Sequence, residues 1–133
     1  MKPRYVLDTH CWLWWNADPD RLSAQARALV ADGSHDILLS AASAWEIAIK
    51  HALGKLTLPE PPARCVPSRL DANRIAALPI QLRHTLEVSA MPQHHRDAFD
   101  RLIIAQALCD GRTVVTADRR FERYGVPVLW AVN

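Results

Sequence analysis

Short apolar runs alternate along the chain with longer helix-forming segments. Four runs rich in Val, Ile, Leu or aromatic residues are too short for helices and are bounded by polar or turn residues, which predicts buried strands. These predicted strands cover residues 5–7, 37–39, 113–116 and 128–130. Because helical segments separate them, the pattern predicts a parallel sheet with helices on its faces.

The predicted helices have recognisable ends. The first runs from residue 9 to a turn at 18–21, and the others cover residues 23–32, 43–53, 68–78, 82–90, 97–110 and 118–124. Four of these helices are followed by a glycine, a typical C-terminal signal: Gly33, Gly54, Gly111 and Gly125. Segment 58–67 holds four prolines and is predicted to be a loop, because proline neither propagates a helix nor pairs in a central strand. The strand and helix pattern continues across this loop, so residues 1–133 are predicted to form one domain.

Composition narrows the class of protein. Half of the 133 residues are apolar, which is enough for one real core without a disulfide or a structural metal. Cys11, Cys65 and Cys109 are odd in number and form no CxxC pair, so we expect reduced thiols in a cytoplasmic protein. Asp8 and His10 interrupt the apolar stretch near the N-terminus, which argues against a signal peptide or a membrane span.

Two acidic residues follow predicted strands. Asp8 ends the first strand and Asp118 comes two residues after the third. Ligands bind beyond the carboxyl ends of the strands in an open parallel sheet, so we expect both carboxylates there. Glu46 and Asp100 lie in the first turns of helices near these strands. Each acid also has a purely structural interpretation. Asp8 and Asp118 could be helix N-caps, Asp100 and the nearby Asp97 could complement a helix dipole, and Glu46 could pair with Lys50 one turn later.

The surroundings of two acids favour a functional interpretation. Asp100 shares its helix face with Ile103 and Ile104, where an unpaired charge is costly. Glu46 stands beside Trp45 in an otherwise apolar turn. Four carboxylates in one crevice repel each other unless a cation compensates them, and all-oxygen ligation suits Mg²⁺ or Mn²⁺. Such a site is typical of metal-assisted phosphodiester hydrolysis.

Four segments resemble the PIN domain, in particular the toxin nucleases of VapBC toxin–antitoxin modules. They occur in the family's order and span essentially the whole chain: VLDTHCWLWW, SAASAWEIAIKHALGKL, HRDAFDRLIIAQAL and TVVTADRRFERYGVPVLW. The resemblance implies a three-layer α/β/α fold with a central, mainly parallel five-stranded sheet. It also implies a Mg²⁺-dependent endoribonuclease, with Mn²⁺ able to substitute, that a cognate VapB-type antitoxin inhibits.

The resemblance assigns roles to particular acids. The family's acidic tetrad is matched by Asp8, Glu46, Asp100 and Asp118, which are therefore the expected catalytic and metal-binding residues. The hypothesis is that Asp8 and Asp100 hold the principal ion, whereas Glu46 and Asp118 complete its shell or position water.

Three further residues resemble those that the family places around the acids. Asp97, Thr9 and Thr116 are expected to support the carboxylates or water rather than to form the primary set of ligands. Ala98 departs from the proline often found at that position, which affects how the helix begins rather than the chemistry.

The basic residues predict a polyanionic partner. Of 16 basic residues 13 are arginine, whose planar guanidinium suits phosphate, although an arginine-rich composition without any binding role is the alternative. Candidates for contacts with RNA phosphates are Arg83, Arg96, Arg101, Arg119 and Arg120. The adjacent His94 and His95 are predicted to lie in a solvated loop rather than to bind zinc. Tryptophans on different helix faces predict exposed aromatic surface, and hence a homodimer, an antitoxin groove or both.

Two other functions stay open at this point. A PIN-type module that binds RNA or an antitoxin without catalysis is expected to have a broken tetrad, whereas all four acids are present here. A Mg²⁺-dependent phosphatase with Asp8 as the nucleophile is expected to have a second aspartate two residues later, where His10 stands.

Overall fold

A computed structural model describes residues 4–133 and contains one sheet of five strands in which every neighbouring pair is parallel. The strands are β1 (Arg4–Leu7), β2 (Asp36–Ser40), β3 (Ala76–Leu78), β4 (Thr113–Thr116) and β5 (Val128–Trp130), in the order β3-β2-β1-β4-β5. The helices are α1 (Thr9–Ala17), α2 (Ala24–Ala31), α3 (Ala41–Ala52), α4 (Pro62–Asn73), α5 (Leu82–Ala90) and α6 (Ala98–Asp110), with 3-10 helices at Pro19–Arg21 and Arg119–Tyr124. The predicted fold class is confirmed.

Two cores lie on opposite faces of the sheet. Leu7 and Val115 pack in a core with buried side chains of α1, α2 and α4. Val6 and Val114, one position earlier on the same strands, pack in a second core with α6 and the C-terminal 3-10 helix. This alternation follows from the pleat of a strand, which directs successive side chains to opposite faces, and it gives the three layers.

The proline-rich segment differs from the prediction of a loop at 58–67. Helix α4 begins at Pro62, where a missing N–H costs nothing, and it continues through Pro67 inside the helix. An internal proline removes a hydrogen bond of the helix, but Cys65 and Val66 are buried in this helix. We attribute the helix to this tertiary packing, which proline propensity does not report.

The predicted helix 68–78 is also wrong at its C-terminal end. Helix α4 ends at Asn73, Arg74 adopts a left-handed conformation with φ 58°, and β3 follows at Ala76–Leu78. Strand β3 pairs with β2 at the edge of the sheet. Three residues of Ala and Leu carry no strand signal of their own, so the pairing with β2 determines their conformation.

Other boundaries are close to the predictions. Strands β4 and β5 and helix α5 have the predicted bounds, and α3, capped by Ser40, begins two residues earlier than predicted. Cys11, Cys65 and Cys109 form no disulfide. Within residues 4–133, no helix is both long enough and apolar enough to cross a membrane.

Candidate active site

A cleft of about 240 Å³ opens at the carboxyl ends of the strands. The strand order reverses between β1 and β4, since β1 connects outward to β2 and β4 connects outward to β5, and such a switch point leaves a crevice at the carboxyl ends of the strands. Asp8 follows β1, and Asp118 follows β4 after one intervening residue. The cleft is lined by the five predicted carboxylates, Asp8, Glu46, Asp97, Asp100 and Asp118, together with His10, Trp14, Ala117 and Arg120.

Three of these carboxylates are buried. The exposed fractions are 4% for Asp8, 2% for Glu46 and 8% for Asp100. One oxygen of Asp8, Oδ1, and one of Glu46, Oε1, are buried and accept no hydrogen bond. Burying a carboxylate oxygen without a partner is costly, so these two atoms identify the part of the cleft that favours a cation.

Asp8 is oriented by the neighbouring strand. The hydroxyl of Thr116, at the end of β4, donates to Oδ2 of Asp8 over 2.8 Å and accepts from the backbone N–H of Asp118 over 3.0 Å. Burial nevertheless raises the pKa of Asp8, and the bond from Thr116 offsets this only in part. Thr116 therefore lies beside an acid as predicted.

The prediction for Thr9 needs a correction. The Thr9 hydroxyl donates to Ser43 Oγ over 2.8 Å and does not contact a carboxylate. Thr9 is the first residue of α1, so its side chain turns toward α3, whereas its backbone N–H bonds to Asp8 and lowers the pKa of that carboxyl.

Asp100 carries the most perturbed carboxyl in the cleft. Its pKa is raised to about 8, first by burial and then by the charges of Asp8, Asp97, Glu46 and Asp118. Asp97 accepts the backbone N–H of Asp100 over 3.0 Å and so caps α6. Asp97 thus caps α6 and also lines the cleft.

Two basic side chains pair with these acids. Lys50 lies 2.6 Å from Glu46 Oε2, and this contact raises the pKa of Lys50. Arg120 lies 2.7 Å from Asp118 Oδ2 and 3.9 Å from Asp100 Oδ2. The hydrogen bond from Arg120 lowers the pKa of Asp118 despite partial burial. With the acids paired in this way, no three His, Cys, Asp or Glu side chains within residues 4–133 form a ready-made metal-binding group.

Only one of the five predicted phosphate-binding arginines lines the cleft, and that is Arg120. Arg83 instead pairs with Asp110 over 2.7 Å, at the far end of α6 from the acids. Arg101 donates to the backbone oxygens of Val88 and Met91. Arg119 stacks on Trp130, with 4.0 Å from its guanidinium carbon to the ring centroid. Arg96 is exposed and does not line the cleft.

Sequence reasoning missed a second cavity that adjoins the cleft. This cavity, of about 330 Å³, shares His10 and Glu46 with the cleft and is also lined by Lys50 and Lys55. Lys50 was interpretable only as a surface partner of Glu46, because one helical turn of spacing does not show that Glu46 is buried. Lys55 follows the end of α3 and has no acidic neighbour in sequence that could have identified it.

His95 was also missed. It lies against the cleft rather than in a solvated loop: its side chain is 4% exposed, and Nε2 is 3.5 Å from Asp100 Oδ2. Burial, followed by the charge of Arg120, lowers the pKa of His95. The contact depends on Tyr124, which is 29 positions away in the chain, so no local pattern could have revealed it.

Comparisons with known proteins agree with this architecture. Residues 5–127 match the PIN domain. Ribonuclease VapC22 of Mycobacterium tuberculosis is 28% identical over 92% of this chain and 92% of its own length. Ribonuclease VapC16 of the same organism is 51% identical, but over 69 residues that are 49% of each protein, so this match covers about half of that relative.

Several solved structures have the same fold. VapBC2 from Rickettsia felis, bound to a DNA fragment from its promoter, aligns with a TM-score of 0.71 at 18% identity over 96% of this chain and 98% of that chain. FitAcB from Neisseria gonorrhoeae aligns with a TM-score of 0.67 at 24% identity over 94% and 96%. At such identities the likeness concerns the fold alone.

The match over residues 5–127 covers most of the chain and includes every strand except β5 and the first residue of β1. The protein therefore belongs to the PIN domain family. The relatives that it resembles are named as VapC ribonucleases, which agrees with the resemblance seen in the sequence.

Proposed function

We propose that this protein is a Mg²⁺-dependent endoribonuclease that acts as the toxin of a type II toxin–antitoxin system, with Mn²⁺ able to substitute. One observation carries the proposal: carboxylates from four separate parts of the chain line a single cleft, and two buried oxygens among them have no partner. A non-catalytic binding module has no need to hold like charges in such an arrangement, since their mutual repulsion and desolvation oppose folding.

The residues of the cleft fit a divalent ion of the magnesium type. The donors are carboxylate oxygens, which Mg²⁺ and Mn²⁺ prefer over nitrogen or sulfur. Asp8 Oδ1 and Glu46 Oε1 are the unpartnered atoms, and a cation also compensates the charges that raise the pKa of Asp100. We propose that Asp8 and Asp100 hold the ion and that Glu46 and Asp118 complete its shell or position water.

The residues around the cleft have different roles in the proposed hydrolysis. A divalent ion, when bound, supplies the positive charge that activates water and stabilises the leaving oxygen. Thr116 orients Asp8, and Arg120 holds Asp118 on the opposite wall. In the reaction a phosphorus–oxygen bond to water forms while the bond to the leaving ribose oxygen breaks. Arg120 is placed to neutralise charge that develops on the phosphate.

We propose that the RNA strand runs across the cleft between Arg120 and Lys55. Arg120 lines the acidic cleft and Lys55 lines the adjoining cavity, and the two spaces share His10 and Glu46. Basic groups on both sides of the acids place phosphates of one strand on either side of the scissile bond. This path replaces the one predicted through Arg83, Arg101 and Arg119.

We further propose a VapB-type antitoxin and a second copy of this chain as partners. The solved structures with this fold are complexes of VapB and VapC or of FitA and FitB proteins, by their own descriptions. Trp45 is 56% exposed and stacks edge-on against Phe99, with ring centroids 5.0 Å apart. Trp45 therefore offers exposed aromatic surface on α3 to a partner chain.

The test is cleavage of total RNA by the purified protein, with Mg²⁺, with Mn²⁺ and with EDTA, followed by mapping of the new ends. We expect discrete cleavage sites with either ion and none with EDTA. Asp8→Asn and Asp100→Asn serve as controls, provided that circular dichroism shows them folded. Full cleavage by either folded variant, or cleavage that EDTA does not stop, contradicts the proposal, and RNA binding without cleavage favours the non-catalytic module.

A further inference from the structure

The proposed reaction leaves His95 without a role, although its ring is held firmly against the cleft. Its Nε2 is buried, makes no hydrogen bond of ordinary geometry, and faces Asp100 Oδ2 at 3.5 Å. The ring lies 5.4 Å from that of Tyr124 and 6.3 Å from that of Phe121, measured between centroids. A side chain packed in this way has little freedom to turn its nitrogen elsewhere.

Tyr124 contacts His95 twice. The backbone N–H of His95 donates to the Tyr124 hydroxyl oxygen over 3.2 Å, and the same hydroxyl lies 2.6 Å from Nδ1 of the His95 ring. Tyr124 is itself only 8% exposed. The loop before α6 is therefore fastened to the C-terminal 3-10 helix through one phenol oxygen.

These two contacts favour one direction of the hydrogen bonds. The phenol oxygen already accepts the backbone N–H, and its single proton can then be donated to Nδ1. A neutral imidazole that accepts at Nδ1 carries its proton on Nε2. The N–H of Nε2 therefore faces the Asp100 carboxylate.

We infer that Tyr124 and His95 form a positioning pair that holds a protonated Nε2 beside Oδ2 of Asp100 and leaves Oδ1 of that carboxylate for the divalent ion. The inference rests on the proposed function, in which Asp100 is a ligand. Arg120 approaches the same oxygen, Oδ2, at 3.9 Å, which also favours Oδ1 as the donor to an ion. Partners that orient a ligand in this way commonly raise metal affinity 10- to 100-fold.

Tyr124→Phe tests the inference because it removes one oxygen and preserves the packing of the ring. We expect the dissociation constant for Mn²⁺, measured by the electron paramagnetic resonance of the free ion, to rise roughly ten-fold. The matched control is Tyr5→Phe, which makes the same change at the other tyrosine of the chain, on β1, and is expected to leave the affinity unchanged.

Two variants of His95 guard against a purely structural effect of Tyr124→Phe. His95→Leu removes the donor and is expected to weaken Mn²⁺ binding as much as Tyr124→Phe does. His95→Gln retains an N–H that can reach Asp100 and is expected to recover part of the affinity. In RNA cleavage, the Mg²⁺ concentration for half-maximal rate is expected to rise in Tyr124→Phe, while the rate at saturating Mg²⁺ stays close to that of the unmodified protein.

A spectroscopic measurement tests the hydrogen bond without metal or RNA. Long-range proton–nitrogen spectra of histidine-labelled protein, recorded at about pH 9 so that Asp100 is ionised, are expected to show His95 as the Nε2–H tautomer, and as a mixture of tautomers in Tyr124→Phe. An Nδ1–H tautomer in the unmodified protein overturns the inference, as does unchanged Mn²⁺ affinity in Tyr124→Phe. Failure of the unmodified protein to bind any Mn²⁺ overturns the proposed metal site itself and with it the role of the pair, so the two failures are distinguishable.

Discussion

Buried charges lie at both ends of the sheet, but they are arranged in opposite ways. At the amino end, Asp36 contacts Arg4 at 3.5 Å and Arg112 at 3.2 Å. Asp110, nearby at the end of α6, contacts Arg83 at 2.7 Å and His84 at 3.3 Å. Burial alone raises the pKa of Asp110, but hydrogen bonds from Arg83 and His84 outweigh it, and the pKa is lowered. Asp36 and Asp110, the two acids described at this end, thus each have basic partners within the chain.

At the carboxyl end, acids outnumber their partners. Five carboxylates line the cleft, and the basic side chains that pair with them are Lys50, Arg120 and His95. Burial, followed by the charges of the neighbouring acids, raises the pKa of Asp100 to about 8. Paired charges connect elements of the fold, whereas an excess of one sign opposes folding and calls for something from outside the chain. The comparison therefore separates structural acids from functional ones within a single molecule.

The largest expected difference is between the effects of Asp100→Asn and Asp110→Asn on RNA cleavage and on stability. Asp100→Asn is expected to lower the rate of RNA cleavage more than about 100-fold, because it removes a ligand rather than a group that supports one. Above about pH 8 it should leave the metal-free protein at least as stable, since a repelled charge is lost there. Asp110→Asn is expected to cost about 1–3 kcal/mol of the free energy of unfolding, because Arg83 and His84 lose a charged partner. Chemical denaturation and cleavage assays on both variants check this pair.

The opposite result for these two variants contradicts the division into functional acids at the carboxyl end of the sheet and structural acids at the amino end. That result is a destabilised Asp100→Asn that retains cleavage, together with an Asp110→Asn that is stable but inactive per folded molecule.

The pH dependence of stability in EDTA should also differ between the two ends. The pKa of Asp100 is about 8 in the folded protein and ordinarily 3.8, so the folded state binds this proton more tightly. Its contribution is therefore present at low pH and is lost as the pH rises from about 4 to about 8. The lowered pKa of Asp110 acts in the opposite sense, and its contribution is lost as the pH falls through the acidic range.

Thermal unfolding between about pH 5 and about pH 8.5 measures the first effect. We expect the midpoint in EDTA to fall across this range, the fall to become smaller in Asp100→Asn, and saturating Mg²⁺ to raise the midpoint most at high pH. A midpoint that rises with pH in EDTA contradicts the raised pKa of Asp100.

A smaller effect, on RNA binding, is expected to distinguish Lys55 from Arg83. Lys55→Gln is expected to weaken binding of single-stranded RNA to Asp100→Asn protein and to reduce the dependence of log K on log salt by about 0.7, the value for one phosphate contact. Arg83→Gln, at the amino end of the sheet, is the matched control and should change neither quantity. Equal effects of the two substitutions contradict the proposed path of the RNA.

The positions of the tetrad acids could be predicted because local sequence determines them. Asp8 follows an apolar strand directly and Asp118 follows one after a single residue, and Asp100 shares a helix face with buried isoleucines. The directions in which the arginine side chains point could not be predicted in the same way. Arg101 is next to Asp100 in sequence but points to the end of α5, since adjacent residues on a helix project about 100° apart.

Elements that depend on tertiary contacts were also beyond prediction. Strand β3 is determined by its pairing with β2, and α4 contains a proline that propensity excludes from a helix. The contact of His95 with Asp100 depends on Tyr124, far along the chain. In each case the information lies in a distant partner rather than in neighbouring residues.

The most direct test of the central claim is calorimetric titration of Mn²⁺ into the protein at about pH 7, in two buffers with different ionisation enthalpies. At that pH Asp100, with its pKa of about 8, is mostly protonated, so its use as a ligand must release close to one proton for each ion bound. The account predicts saturable binding with this proton release, and the loss of both in Asp100→Asn. Binding without proton release, or binding that Asp100→Asn leaves unchanged, contradicts it.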